Sequence, residues 1–179
     1  MGRFEQYTAA ERRQMDKDQQ DPRWLAWLTR MNEQLDRFLN ETFPDMPNNP
    51  WTVEGLRQAE QAALERFPTD EAVALPENID VADQFYRFFG EVFRRNFEGE
   101  WYNVPDFDTE TRALGFGPVV SRPFNENYLD VVPLLTTAVY RREGDLFASI
   151  FGYSQEDYAE WQAAGRLPLK EWIEIRDKD

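Results

Sequence analysis

Between Asp80 and Gly99 the chain carries its richest apolar face, with Val81, Phe85, Phe88, Phe89, Val92 and Phe93 recurring along one side of a helix. A helix so apolar on one side draws its stability from packing, so the rest of the chain must supply elements that cover it. Gly90 interrupts this helix at a cost of about 1 kcal/mol relative to alanine, which points to another element lying against its bare backbone. Asp80 is placed to cap the helix, and Gly99 to end it in the left-handed conformation.

The covering elements are also read from spacing. Thr8 and Glu11 form a capping-box pattern that opens a polar, peripheral helix running to about Gln20. Asp21-Pro22 starts a second helix, whose stripe runs through Trp24, Leu28, Met31, Leu35, Phe38 and Leu39. Pro44, Pro47 and Pro50 force a loop, after which Thr52 caps a helix that Pro68 closes. Residues 100–104 and 117–121 are rich in strand formers and predict two short paired strands.

Helical spacing returns from Asp130 to Gly144, followed by a short helix at Leu146–Phe151. A further helix is capped by Ser154 with Asp157, and a last one carries Trp172. The expected fold is α+β and predominantly helical, with amphipathic helices around a small two-stranded β element near residues 100–121. Residues 1–20 are expected as a peripheral N-terminal helix and 21–179 as a single mainly helical domain.

With 41% hydrophobic and 15% aromatic residues, large rings must fill much of the core. The chain has neither cysteine nor histidine. That inventory excludes disulfides, thiolate and imidazole metal ligands, and Ser-His-Asp or Cys-His catalysis. No apolar run approaches the roughly 20 residues of a membrane span, and Met1-Gly2-Arg3-Phe4-Glu5-Gln6 reads as neither a secretory leader nor a myristoylation motif. Cytoplasmic residence without membrane attachment, cofactor or metal is the expectation.

The formal charge of −14, from 34 acidic and 20 basic residues, disfavours direct nucleic-acid binding, which needs concentrated Lys and Arg. It suits a protein partner with a basic surface, because complementary potentials raise association rates to about 10⁸ M⁻¹s⁻¹ at low salt. Glu54–Asp83 holds eight acidic residues against Arg57 and Arg66, a local −6. Candidate partner-binding residues are Asp70 and Glu71 in that stretch, with Tyr102, Asp106, Phe107, Asp108 and Glu110 in and after the first strand.

The alternating carboxylates at 106, 108 and 110 could in principle gather around calcium. The calcium-loop pattern, however, needs glycine and glutamate where Thr111 and Gly117 stand. Gly115-Phe116-Gly117 lacks the following helix and third glycine of a phosphate loop. Carboxylate pairs of the glycosidase kind cannot be picked out from so many acids.

Phe85-Tyr86-Arg87-Phe88-Phe89-Gly90-Glu91-Val92, Gly99-Glu100-Trp101 and Gly117-Pro118-Val119-Val120 together resemble a helix-strand-strand pattern of small bacterial domains. Some of those domains look like immunity proteins of toxin systems. The resemblance covers residues 85–122 and carries no functional residue across. It implies a non-enzymatic, acidic protein-binding domain that neutralises a cognate toxin by occluding its active site. A secretion chaperone or regulatory adaptor, and a carboxylate-dependent hydrolase, stand as alternatives; the oligomeric state is left open.

Overall fold

In the computed structural model of the chain, residues 8–105 and 114–176 are described. The architecture is α+β and predominantly helical. Its centre is α6 (Ile79–Asn96), in which every residue from Gln84 to Phe93 is buried. On its apolar side Phe88 stacks on Phe38 with ring centroids 4.9 Å apart, Phe89 stacks on Phe147 at 3.7 Å, and Phe93 meets Phe151 edge-on at 5.6 Å. Those partners come from the π-helical turn Phe38–Thr42, which follows α3 (Met31–Arg37), and from α8 (Leu146–Ala163). α4 (Val53–Arg66) and α7 (Val131–Arg141) complete the enclosure.

Several helix starts follow their capping residues. Both bonds of the Thr8–Glu11 box open α1 (Ala9–Asp18), Asp21 accepts from the Arg23 N–H before α2 (Pro22–Thr29), and Thr52 accepts from the Gly55 N–H. The single helix expected beyond Asp21 is instead broken at Arg30 into α2 and α3. The reason lies in α6: the buried Arg87 guanidinium donates to the Trp27 carbonyl at 2.8 Å, the acceptor a continuous helix would have given to Met31. Conversely, α8 is one helix where two were expected. Ser154 does not cap; it is buried mid-helix, and its hydroxyl accepts from Arg122 at 2.8 Å. α5 (Asp70–Val73) lies between α4 and α6, and α9 (Leu169–Arg176) buries Trp172.

The expected pair of strands is present as β1 (Glu100–Asn103) and β2 (Pro118–Arg122), antiparallel, with Trp101 opposite Val120. A third strand, β3 (Asn125–Asp130), pairs with β2 on the other side, so the order is β1-β2-β3. Its opening Asn-Glu-Asn has low strand propensity, and the tight turn from Arg122 rather than composition makes it a strand.

Two glycines set how closely the sheet approaches α6. A Cβ on Gly99 would lie 2.8 Å from the Ser121 carbonyl oxygen, while the left-handed residue after α6 is Glu98, with φ 52°. A Cβ on Gly90 would run into the Trp101 indole, the close packing its place in the helix implied. Gly90→Ala is therefore expected to lose about 1–3 kcal/mol through overpacking, against the small gain alanine brings to an open helix. Urea denaturation reads the sign: a stabilised variant would mean that Trp101 moves aside freely.

Candidate functional site

Opposite its phenylalanines, α6 carries the charged residues Asp83, Arg87, Glu91 and Arg94, spaced along one stripe. Arg87 and Glu91 are only 2% and 3% exposed, so their charges require partners. Asp83 receives the Trp27 indole N–H at 2.5 Å and the Arg87 Nε at 2.7 Å, and the Arg87 guanidinium lies 4.1 Å from the Trp27 ring centroid. Glu91 accepts from Arg94 Nε at 2.6 Å, Arg95 Nε at 2.9 Å and the Trp101 indole at 2.8 Å. Burial pushes the Glu91 carboxyl up, but bonds from Arg94, Trp101 and Arg95 outweigh it and hold the group below its ordinary value.

Glu60 on α4, buried like Glu91, accepts from the backbone N–H groups of Leu146 at 3.0 Å and Phe147 at 2.9 Å. It thus caps α8 from another helix, although burial still raises its pKa. These three carboxylates are committed to holding the fold. Among the described residues, no group of three or more carboxylates stands where it could hold a metal ion, and no helix is long and apolar enough to cross a membrane.

Of the partner-binding residues predicted from sequence, Asp106, Phe107, Asp108 and Glu110 lie outside the described residues. Asp70 and Glu71 open α5, which packs against α7. Glu71 is held below its ordinary pKa, first by its own backbone N–H and then by Thr69 and Asp70. Tyr102 stands on β1, its hydroxyl 3.1 Å from Glu100 Oε2 and its ring 6.1 Å from Tyr128. Asp70 and Glu71 thus stand on one element and Tyr102 on another. Trp51 is half-buried against Phe88 with the Arg95 guanidinium 3.6 Å from its ring centroid.

Among the described residues, two concavities bear on binding. One, of about 250 Å³, lies between the β2–β3 turn and α9, but the Arg176 on its wall is already paired with Asp157 at 3.2 Å. The other is a groove of about 350 Å³ between α4 and the loop Phe43–Met46 that leaves the π-helical turn. Half-buried Phe43, Met46 and Ala62 give it an apolar lining, and exposed Asp45 and Glu65 give it negative charge. Phe43 is fixed by Phe38 at 5.2 Å and Phe85 at 5.0 Å, so this lining is anchored in the core. Sequence reading missed the groove because its two walls are a proline-rich connector and the outer side of a helix; the only available signal was the acidic stretch containing Glu65.

Comparison of the chain with protein-family models, with curated proteins and with solved structures found no match in any of the three.

The Glu91 bonds fix a pH dependence. A carboxylate whose folded pKa is depressed stabilises the fold above its unfolded value, near 4.5, and loses that contribution as pH falls through the folded value. Glu91→Gln is expected to cost about 1–3 kcal/mol at neutral pH by weakening buried charged hydrogen bonds. The gap from wild type should narrow as pH drops below about 4.5. Urea midpoints at a series of pH values measure it, and a gap independent of pH would show that Glu91 acts by shape alone.

Proposed function

We propose that this chain is an acidic protein-binding domain whose docking site is the groove between α4 and the loop Phe43–Met46, and whose partner presents a basic, partly apolar segment. The observation that carries this reading is the groove's make-up: an apolar lining anchored on core phenylalanines and flanked by Asp45 and Glu65. Apolar area supplies affinity where it is desolvated, while the carboxylates choose a cationic partner and speed its approach. The adjoining π-helical turn supports the reading, since such turns are frequent at functional sites. The engagement of Glu60, Asp83 and Glu91 within the fold also favours binding over chemistry at those groups.

The specific form we favour is an immunity protein that covers the active site of a toxin with a basic surface. An enzyme acting on an anionic substrate has such a surface, and the −14 charge of this chain complements it. The test is co-expression with the product of the adjacent gene in a host that this product harms. The chain is expected to restore growth and to co-purify one-to-one with that product. Asp45→Lys with Glu65→Lys should abolish rescue and slow association at least about tenfold at low salt, without shifting the thermal midpoint. Rescue that survives the double reversal would remove the groove from the proposal, and failure of the wild-type chain to bind or rescue would remove the immunity role.

A further inference from the structure

Among the described residues, β1 pairs with a strand on one side only, and its outer edge meets the end of α1. Pro118 stands opposite Asn103 in the β1–β2 ladder, and proline has no N–H to donate. The pair therefore occupies one of the non-hydrogen-bonded positions that alternate along antiparallel strands. The next pair agrees, with the Val104 N–H donating to the Gly117 carbonyl at 2.8 Å. Asn103 must then turn its own N–H and carbonyl away from the sheet.

Both groups are taken by one side chain. Gln19 Oε1 accepts from the Asn103 N–H at 2.9 Å, and Gln19 Nε2 donates to the Asn103 carbonyl at 2.7 Å. This reciprocal pair is what the backbone of a neighbouring strand would form. Asn103 Nδ2 adds a bond to the Asp18 carbonyl at 2.7 Å. By the same alternation, Trp101 also turns its N–H and carbonyl outward. The helix that leads to Gln19, α1, has no fully buried side chain, and the bonds of Asp18 and Gln19 tie its end to this edge.

We propose that the outer edge of β1 is a docking site for an extended, basic segment of a partner polypeptide, which adds as a fourth strand and takes over the Asn103 backbone groups from Gln19. Backbone pairing at Trp101 and Asn103 would give affinity. The basic character follows from charge: exposed Glu100 stands on the strand, and the chain carries a net charge of −14. The inference rests on the protein-binding reading but uses a surface other than the groove, so the two fail separately.

The probe is a short peptide alternating lysine with valine, added to the full chain and followed by calorimetry and amide exchange. Wild type is expected to bind weakly. Gln19→Ala should bind about tenfold more tightly, because two hydrogen bonds no longer compete. Gln19→Asn, one methylene too short to bridge, should behave like the alanine variant. Bound peptide should slow exchange at the Trp101 and Asn103 amides, and it should do so in the Asp45→Lys, Glu65→Lys variant too, whatever share of the total binding the groove takes. Equal binding of a peptide with methylated backbone nitrogens would overturn the proposal, since charge alone would then suffice. So would unchanged affinity in both Gln19 variants, or no binding to wild type and Gln19→Ala alike.

Discussion

The carboxylate of Glu91 sits where α6 meets β1. Removing such a charge from water costs several kcal/mol unless it is fully partnered. Here Arg94 and Arg95 from the same helix and the Trp101 indole from β1 satisfy it together. Trp101 can reach it only because Gly90 leaves room for the ring. Apolar surfaces can slide past each other at modest cost, whereas these bonds hold in one geometry, so the sheet's register against α6 follows from them. Asp83 and Arg87 do the same for α2 one helical step earlier, through the Trp27 indole and carbonyl.

α6 therefore faces two surroundings. Phenylalanines on one side recruit the π-helical turn and α8 by area and ring geometry, with about 0.5–1.5 kcal/mol per aromatic pair beyond burial. Charges on the other side recruit α2 and β1 through directed bonds to indole nitrogens. Tryptophan suits this second side because its ring covers the charge while its N–H answers it.

This division explains what could be read from the sequence. Phe85, Phe88, Phe89 and Phe93 declared their face by spacing, the caps at Thr8, Asp21 and Thr52 declared helix starts, and Gly90 signalled close packing. What stayed hidden depended on partners distant in the chain. The break at Arg30 follows from a guanidinium on α6, Ser154 was turned inward by Arg122, and β3 owes its form to its neighbour more than to Asn125-Glu126-Asn127. The same holds for the candidate site. Acidity was visible as composition, but composition cannot tell Glu65, exposed beside the groove, from Glu60, wholly buried five residues earlier on the same helix.

The position of Glu60 also bears on how the chain is made. α8 begins with backbone N–H groups whose acceptor lies 86 and 87 residues upstream, on α4. Synthesis from the amino terminus delivers α4 first. The newly emerging α8 thus meets its acceptor already in place, whereas a carboxy-terminal fragment made alone would begin that helix with nothing to answer those donors.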